Sequence, residues 1–364
     1  MLRVDTRKQK KMRVALLSPT KGLRVGSAEK PEIAPGDVLL QTKAALICGT
    51  DVRILRHGHQ AIGAGTERIL GHEISGVIAR VGQDVEQLKE GMRVAVAPNM
   101  GCGQCDLCVS GNTHLCRAYR ALGIHIDGGF AEYVRIPAAA VRQGNVVEIG
   151  ARTTFAEAAL AEPLSCAYNG FERCAIGPGD KVLVVGAGPI GLMHAKLARL
   201  GGAAEVYISD LNADRLKRCH QMDESWVPLP ADEAASRITE LTAGKGVDVC
   251  ITACPSSQAQ VQALELAAIN ARVLFFGGLP KDQSIVPLDT NLIHYKQLVV
   301  TGTTRASITQ FRKVLSLIEH GTLCVKEFVT ETFDIANIRK AFAHTTQGSG
   351  LRCMIAFDGK LKQK

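Results

Sequence analysis

The sequence predicts an α/β chain of two domains: a small β-barrel and a doubly wound parallel sheet. Its 364 residues exceed the size at which a single hydrophobic core usually keeps growing, which favours two domains. In the first third, short apolar runs such as residues 13–17 and 38–47 alternate with glycine turns, a pattern typical of a small barrel. From Lys181 onward, apolar runs alternate with helical periodicity, which predicts parallel strands covered on both faces.

The barrel strands are predicted from period-two alternation between turn residues. Val38, Leu40 and Thr42 share one face of the run 38–47, as expected for a strand with one face on a core. Further short strands are predicted at residues 23–25, 76–81, 93–96 and 131–135. Helices at residues 311–320 and 338–345 are expected to return to this domain. We therefore predict a first domain of residues 1–160 and 306–364 and a second of residues 161–305.

A glycine-rich turn lies near the start of the second domain. A strand at residues 181–185 is followed by the run Gly186-Ala187-Gly188-Pro189-Ile190-Gly191, a helix over 190–200 and a strand over 205–209. This order is the dinucleotide-binding pattern, in which the glycines admit a pyrophosphate to a helix N-terminus. The alternation continues with strands at residues 247–252, 272–276 and 298–302 and a helix at 261–269.

Asp210 closes the second of these strands and indicates which cofactor binds. A carboxylate there can bond both hydroxyls of the adenosine ribose and would repel a 2′-phosphate. The sequence therefore favours NAD over NADP. Arg215, five residues on, keeps NADP as an alternative.

Charge and hydropathy argue against nucleic-acid and membrane functions. The formal net charge is +8, but basic residues are concentrated in residues 1–11 and 360–364. No basic stripe with interleaved aromatic residues runs through the body of the chain. No apolar run reaches about 18 residues, and the start lacks the apolar segment of a secretory signal. We therefore expect a cytoplasmic protein with no nucleic-acid and no membrane partner.

Four of the twelve cysteines lie close together. Cys102, Cys105, Cys108 and Cys116 have the spacing of a tetrahedral structural zinc site, with an iron–sulfur cluster as the chemical alternative. Such a zinc site has no open coordination position, so we expect it to stabilise its lobe rather than react. Seven further cysteines lack paired spacing and are interpreted as core or surface thiols: Cys166, Cys174, Cys219, Cys250, Cys254, Cys324 and Cys353.

A second metal-ligand pattern begins at Cys48-Gly49-Thr50-Asp51, which we expect to form one tight turn. Cys48 alone would suggest a packed core thiol. His72 supplies the imidazole that zinc accepts together with a thiolate. Thr50 offers a hydroxyl as a proton carrier, and Asp51 could accept the other imidazole N–H of His72 and so fix its tautomer.

Glu162 permits two interpretations. It precedes Pro163, the predicted first helical position of a helix that runs to about Cys174. An acid in that place complements the helix dipole. Alternatively, Glu162 is the third ligand of the zinc bound by Cys48 and His72. Sequence spacing does not decide between the two.

Over residues 12–357 the chain resembles the zinc-containing medium-chain dehydrogenase/reductase family. The motifs that carry the resemblance occur in the family's order: Cys48-Gly-Thr-Asp51, Gly71-His72-Glu73, the four-cysteine lobe, Gly128-Gly129-Phe130-Ala131-Glu132-Tyr133 and the 186–191 turn. The resemblance implies a GroES-like catalytic domain built from both chain ends, a Rossmann NAD-binding domain between them and an active site in the cleft. It also implies two zinc ions per chain, one catalytic and one structural, and a homodimer or homotetramer.

The Glu162-Pro163 pair is similar to that of the sorbitol, polyol and threonine dehydrogenase branch. This implies that Glu162 binds zinc directly or through water, with Glu73 as the alternate ligand. The reaction implied is the loss of a proton from a secondary hydroxyl through Thr50 and of a hydride to the nicotinamide, which leaves a ketone.

Two arginines bear on the substrate. Where the family often has a histidine that completes the proton relay, this chain has Arg53, a poor relay because a guanidinium does not deprotonate. Arg53 is interpreted as a surface residue or, with Arg56 or His57, as the anchor of an anionic substrate such as a polyol phosphate. Arg305 matches a pocket arginine of polyol dehydrogenases, or makes an inter-domain salt bridge. Five histidines are interpreted as structural or exposed: His57, His59, His114, His125 and His294.

We therefore predict a zinc-dependent NAD(H) oxidoreductase that interconverts a secondary alcohol of a polyol or sugar alcohol, free or phosphorylated, and its ketone. L-threonine 3-dehydrogenase is the alternative enzyme, supported by Cys48-Gly-Thr-Asp51 and Thr113-His114-Leu115-Cys116. The alternative from another class is a non-catalytic, zinc-stabilised NAD(H)-binding protein. Retention of Cys48, His72 and Glu162 argues against it.

Overall fold

The computed structural model describes residues 11–63, 65–348 and 350–357. They form two compact units: one holds the described residues up to Glu162 and those from Ala306 onward, and the other holds Pro163–Arg305. These boundaries lie within two residues of the expected ones. The predicted basic tails, apart from Lys11, fall outside the described residues. No helix in the described part of the chain is long and apolar enough to cross a membrane.

The strands are, in chain order, β1 (Lys11–Ser18), β2 (Gly22–Glu29), β3 (Val38–Leu46), β4 (Arg68–Ile69), β5 (Glu73–Val81), β6 (Arg93–Val96), β7 (Asn99–Met100), β8 (Arg120–Ala121), β9 (Tyr133–Ile136), β10 (Val146–Glu148), β11 (Lys181–Val185), β12 (Glu205–Asp210), β13 (Trp226–Pro230), β14 (Val247–Thr252), β15 (Ala267–Phe275), β16 (Val299–Gly302), β17 (Val329–Asp334) and β18 (Arg352–Ala356). The helices are α1 (Gly49–His57), α2 (Asp106–Val109), α3 (Ala138–Gln143), α4 (Phe155–Ala159), α5 (Ala161–Cys174), α6 (Pro189–Leu200), α7 (Ala213–Met222), α8 (Ala234–Leu241), α9 (Ser257–Leu266), α10 (Thr290–Tyr295), α11 (Ile308–Glu319) and α12 (Ile338–Gln347).

The first unit is built on a seven-stranded sheet of order β10-β6-β5-β3-β18-β17, with β9 also paired to β3. A three-stranded sheet of order β2-β1-β4 and the β7-β8 pair complete it. The core contains fully buried aliphatic and aromatic side chains such as Leu40, Val94, Phe130 and Ile355. β18 comes from the chain end and pairs antiparallel with β3, so the last strand is built into the same sheet as the first third of the chain.

The second unit is a six-stranded parallel sheet of order β13-β12-β11-β14-β15-β16. Its core includes Leu183, Tyr207, Cys250 and Val273, all fully buried. The order reverses between β11 and β14, and in doubly wound sheets ligands bind at the carboxyl ends of the strands beside such a reversal. The structure confirms the α/β class and the predicted parallel sheet.

The helix predicted over residues 261–269 is wrong at its end. α9 stops at Leu266, and residues 267–269 belong to β15. The Lys296 ammonium donates to the carbonyl oxygens of Leu264, Glu265 and Ala267, at 3.2, 2.8 and 2.9 Å. A cation at a helix C-terminus satisfies carbonyl groups that have no partner within the helix, so a distant lysine helps to end α9.

Two other elements differ from the sequence expectation. Residues 49–51, predicted as one tight turn, are the first turn of α1. α5 begins at Ala161, two residues before Pro163, so Glu162 lies within the first helical turn. Proline is tolerated in that turn because the first N–H groups of a helix lack intrahelical acceptors.

Candidate metal centre and dinucleotide site

Three strand ends meet at one edge of the seven-stranded sheet. Leu46, the last residue of β3, pairs with Glu73, the first residue of β5. Leu46 also pairs with Met354 of β18, and the Ile47 N–H donates to the Cys353 carbonyl at 2.9 Å. Antiparallel pairing therefore places three segments that are distant in sequence at one point, residues 47–48, 72–73 and 352–353.

The structure brings together Cys48, His72 and Glu73 at this edge. One ligand atom from each lies within 4.8 Å of the others. Cys48 is half-buried, His72 is 6% exposed and Glu73 is fully buried. A thiolate, an imidazole and a carboxylate are the ligand types that zinc accepts, and three protein ligands leave a fourth position open, as in catalytic zinc sites.

Asp51 orients this group from within α1. One of its carboxylate oxygens accepts the Cys48 N–H at 2.9 Å, and the other lies 3.5 Å from Nδ1 of His72. Because Nδ1 faces Asp51, Nε2 is the nitrogen available to a metal. Burial lowers the pKa of His72, but Asp51 and Cys48 outweigh this and raise it well above the ordinary value.

Glu73 is paired with Arg352, the first residue of β18. Arg352 Nη2 lies 3.1 Å from Glu73 Oε1, and both side chains are almost completely buried. Arg352 Nη1 also donates to the Ile47 carbonyl at 3.2 Å. Burial raises the pKa of Glu73 to about 7 against the opposing effect of Arg352, and the charge of Glu162 adds to the rise.

A metal fits this site by the chemistry of its unpaired atoms. Glu73 Oε2 is buried and has no hydrogen-bond partner among the described residues. Buried carboxylate oxygens normally have a donor or a cation. Glu162 is also buried and influences Glu73 electrostatically, but it is outside the group of ligand atoms formed by Cys48, His72 and Glu73. Thr50 lies two residues after Cys48 in α1 and is half-buried.

The four cysteines of the lobe at residues 102–116 form a second group of ligand atoms. All four sulfurs lie within 4.8 Å of one another. Cys102 and Cys108 are 3.9 Å apart, and Cys105 and Cys116 are 3.8 Å apart. Sulfurs at about 2.3 Å from a tetrahedral zinc would be about 3.8 Å apart, so the group has the size of a zinc site. N–H groups of Gln104 and Cys105 lower the pKa of Cys102 to about 6, which favours the thiolate.

Gly101 lies so close to the cysteines of this lobe that its position has no space for a side chain. A Cβ at this position would lie 2.4 Å from Cys108 Sγ and 3.0 Å from the Thr113 carbonyl oxygen. Such distances are shorter than van der Waals contact, so no larger residue fits without moving a candidate ligand.

The glycine turn of the second unit has the geometry of a phosphate-binding loop. Gly186 has φ 113°, a conformation that favours glycine. A Cβ on Gly191 would lie 1.7 Å from the Gly186 carbonyl oxygen. Gly188 is the N-cap of α6, Pro189 is its first residue and Ile190 its second, so the N–H groups of the helix start are directed to the turn.

Asp210 stands at the end of β12 beside this turn. Its carboxylate accepts the Ala187 N–H at 2.7 Å and the Asn212 N–H at 2.8 Å. Arg215 Nη1 lies 3.6 Å from it. The structure thus places Asp210 against both the glycine turn and Arg215.

The two arginines singled out for the substrate lie in different units. Arg53 is on the exposed face of α1, one turn after Thr50. Arg305 is an exposed residue at the end of the second unit with φ 57°, and its carbonyl accepts a hydrogen bond from Asn169 Nδ2 at 3.0 Å.

Comparison with known proteins identifies the family of this chain. Residues 34–157 match the family model of the alcohol dehydrogenase GroES-like domain, and residues 189–320 match that of zinc-binding dehydrogenases. The chain belongs to the zinc-dependent alcohol dehydrogenase family. This confirms the predicted family, its GroES-like and Rossmann domains, and the assignment as a dehydrogenase.

Relatives of this zinc-dependent dehydrogenase differ in substrate. The L-threonine 3-dehydrogenase of Bacillus licheniformis is 34% identical over 87% of this chain and 90% of its own length. The sorbitol dehydrogenase of Bacillus subtilis is 30% identical over 92% of this chain and 94% of its own length. Sequence similarity therefore fixes the reaction class but not the substrate.

Two solved structures share the fold of this dehydrogenase over 96% of its chain and 100% of theirs, each with a TM-score of 0.86 and 27% identity. One is a zinc-binding dehydrogenase from Sinorhizobium meliloti bound to NADP. The other, from Escherichia coli, is described as a short chain alcohol dehydrogenase complexed with NADH. The neighbours thus bind nicotinamide dinucleotides of both kinds.

Sequence reasoning missed Arg352 in this dehydrogenase. The signal available was a single charge in the apolar run Leu351-Arg352-Cys353-Met354-Ile355. A charge within a predicted buried strand requires a partner. Its partner, Glu73, could not be chosen before the pairing of β18 with β3 was known.

Proposed function

We propose that the chain is an NAD-dependent dehydrogenase that oxidises a secondary hydroxyl of a polyol or sugar alcohol, free or phosphorylated, to the ketone and catalyses the reverse reduction. The observation that carries the proposal is the convergence of Cys48, His72 and Glu73 on one point, with Asp51 and Arg352 buried against them. A non-catalytic protein has no use for three ligand side chains with one position left open.

Cys48, His72 and Glu73 would hold the catalytic zinc, with Glu162 beside them, and the four cysteines would hold the structural zinc, giving two ions per chain. Bound zinc stabilises the deprotonated form of a substrate hydroxyl. Asp51, whose Oδ1 lies 3.5 Å from His72 Nδ1, would favour the tautomer that leaves Nε2 for the metal. Thr50, half-buried and two residues after Cys48, would accept the proton from the hydroxyl oxygen and pass it toward solvent, while a hydride leaves the carbon that carries this hydroxyl for the nicotinamide.

NAD is the proposed cofactor because the Asp210 carboxylate faces the glycine turn and would repel a 2′-phosphate. Arg215 partly offsets that charge at 3.6 Å, and it is the feature that would favour NADP. Relative kcat/KM for the two cofactors is the decisive quantity.

L-threonine is the second candidate substrate. It is favoured by the 34% identity to an L-threonine 3-dehydrogenase and by the Cys48-Gly-Thr-Asp51 motif. Threonine carries its reacting hydroxyl next to an ammonium and a carboxylate, whereas a polyol carries only hydroxyl neighbours. Binding of threonine therefore requires charged partners near the metal, whereas binding of a polyol requires hydrogen-bond donors and acceptors.

A homodimer or homotetramer is also proposed. β16 is an edge strand of the parallel sheet, and two large apolar side chains on it or just before it in the chain are exposed: Val299 is 53% exposed and Tyr295, at the end of α10, is 77% exposed. Exposed apolar side chains next to an open strand edge favour association with another copy.

The test is a panel of polyols, their phosphates, sugar acids and L-threonine, assayed with NAD and with NADP on zinc-loaded protein. We expect NADH formation with at least one sugar alcohol or its phosphate and a higher kcat/KM with NAD. Turnover of L-threonine alone would transfer the assignment to the second candidate. A protein that carries zinc only in the four-cysteine lobe and oxidises no member of the panel would refute catalysis.

A further inference from the structure

The sulfur ligands of the four-cysteine lobe differ in their access to solvent. Cys102 is exposed, Cys105 is half-buried, and Cys108 and Cys116 are buried. Residues 102–104 are all exposed, so this edge of the lobe faces solvent. A reagent dissolved in water therefore meets Cys102 before the other three cysteines.

The four sulfurs form two contact pairs. Cys102 Sγ lies 3.9 Å from Cys108 Sγ, and Cys105 Sγ lies 3.8 Å from Cys116 Sγ. Because a disulfide bond is about 2.05 Å long, each pair has to close by about 1.8 Å to form one. A bond between Cys102 and Cys108 leaves Cys105 and Cys116 as a second pair already in contact. Oxidation can therefore use all four sulfurs without an exchange of partners.

The backbone beside Cys102 has space for this movement. Gly103 has φ 83°, and a Cβ on it would have one neighbour within 4 Å among the described residues, Gln143 Nε2 at 3.8 Å. On the other side, the Gly101 N–H donates to Gln143 Oε1 at 3.2 Å, and Gln143 Nε2 donates to the Gly101 carbonyl at 2.8 Å. Cys102 thus lies between an anchored glycine and an open one, and its side chain can turn toward Cys108 while Gly101 stays in place.

Zinc binding and disulfide formation exclude each other in this lobe, because both use the same sulfurs. A zinc-bound cysteine is a thiolate, which is the nucleophilic form of the side chain. Four cysteines supply every ligand of a structural zinc site, so one disulfide removes half of them. The lobe therefore has two alternative ways to be closed, one by the metal and one by disulfides.

We propose that Cys102 and Cys108 form a peroxide-sensitive site, at which oxidation to a disulfide releases the zinc of the lobe. The Cys102 thiolate attacks hydrogen peroxide, the O–O bond breaks, and the sulfur becomes a sulfenic acid as hydroxide leaves. The Cys108 thiolate then attacks that sulfur, which forms the S–S bond and expels a second hydroxide.

The electrons and protons of this oxidation balance. Two sulfurs lose two electrons, and two protons from solvent convert the two hydroxides to water, so one peroxide is consumed per disulfide. Cys105 and Cys116 consume a second peroxide in the same way. The inference rests on the zinc content of the proposed function but not on its substrate.

Peroxide treatment of the zinc-loaded chain tests the site. Alkylation and peptide mass spectrometry identify the disulfides, and a chromophoric chelator measures the released metal. We expect a Cys102–Cys108 disulfide and a fall in zinc from about two to about one per chain. Cys324→Ser is the control and should lose the same zinc, because Cys324 is also exposed but its sulfur contacts Glu327 Oε2, at 3.6 Å. Oxidation of Cys324 while all four lobe sulfurs can still be alkylated would overturn the proposal.

A second experiment assigns the released zinc and tests reversal. Cys48→Ser removes a ligand of the candidate metal centre, and we expect peroxide to release about one zinc per chain from the lobe of this variant. Dithiothreitol with added zinc should restore the zinc content and the thermal midpoint, because thiol–disulfide exchange returns Cys102 and Cys108 to thiols. A disulfide that forms without loss of zinc, or a lobe that binds no zinc before oxidation, would refute the coupled release. Neither measurement uses an alcohol, so both remain valid if the proposed dehydrogenase reaction is not found.

Discussion

Arg352 and Glu73 form an ion pair of 3.1 Å in which both side chains are almost completely buried. The pair joins the last strand of the described chain to the strand that carries a candidate metal ligand. Two charges removed from water are tolerated only when each has a partner, and the loss of one partner leaves the other charge buried and uncompensated. The pair therefore couples the closing of the first unit by β18 to the position of Glu73.

Replacing either partner should destabilise the protein. At a pH above about 8, where the Glu73 carboxyl with its pKa of about 7 is mostly ionised, we expect Arg352→Met and Glu73→Gln each to lower the free energy of unfolding by about 3–5 kcal/mol, as for a buried charge left alone. The double variant should lose markedly less than the sum of the two, because it leaves no charge unpaired. Urea denaturation in the presence of a chelator measures wild type, the two single variants and the double variant without a contribution from bound zinc. Strictly additive losses would show that the two residues act independently.

Glu73 and Glu162 should differ in their effect on the catalytic zinc. Since Glu73 shares the group of ligand atoms with Cys48 and His72 and Glu162 does not, we expect Glu73→Gln to lower zinc affinity by about 10- to 100-fold or more and Glu162→Gln to lower it less. Competition with a chromophoric chelator gives both affinities. A greater loss with Glu162→Gln would restore it as the direct ligand.

Zinc binding by the four-cysteine lobe should depend on the absence of a side chain at Gly101. In Gly101→Ala the new methyl group would lie 2.4 Å from Cys108 Sγ, so we expect zinc content to fall from about two to about one per chain and the thermal midpoint to drop. Gly177→Ala is the matched control, because nothing lies within 4 Å of its Cβ. Metal analysis by mass spectrometry checks the count. Two tightly held zinc ions in Gly101→Ala would contradict the assigned role of Gly101.

The sequence predicted the sites that are built from neighbouring residues better than the contacts between residues that are distant in sequence. Cys102 to Cys116 and Gly186 to Gly191 each lie within a few turns of chain, so spacing alone places their atoms. Glu73 and Arg352 meet only because β3 pairs with both β5 and β18. The same applies to His59 and His125, which come from two different loops and have ring centroids 5.7 Å apart. The sequence marks Arg352 as a charge in an apolar run, but it does not show which residue is its partner, because that depends on the pairing of strands distant in sequence.

The open edge of the parallel sheet should control assembly. Val299 lies on the edge strand β16 and is 53% exposed, so we expect Val299→Lys to disfavour burial of this edge against another copy and to give a monomer in size-exclusion chromatography with light scattering. Val109→Lys changes an apolar side chain of 76% exposure in the other unit and serves as the control. Equal masses for Val299→Lys and wild type would show that β16 is not part of an interface between copies.

His194 should make the protein sensitive to acid. It is fully buried in α6, neither ring nitrogen has a hydrogen-bond partner among the described residues, and burial lowers its pKa to about 3. The folded protein therefore keeps the ring neutral, while the unfolded chain takes up a proton below pH ~6.5. Stability from this residue is complete above that pH and falls as the pH is lowered, by about 2 kcal/mol between pH 6.5 and 5. Urea denaturation at several pH values across this range gives the free energy of unfolding as a function of pH. This pH dependence should be weaker for His194→Leu than for wild type, and the same as wild type for the exposed His320→Leu. Parallel pH profiles for wild type and His194→Leu would mean that His194 is protonated, or finds a partner, in the folded state.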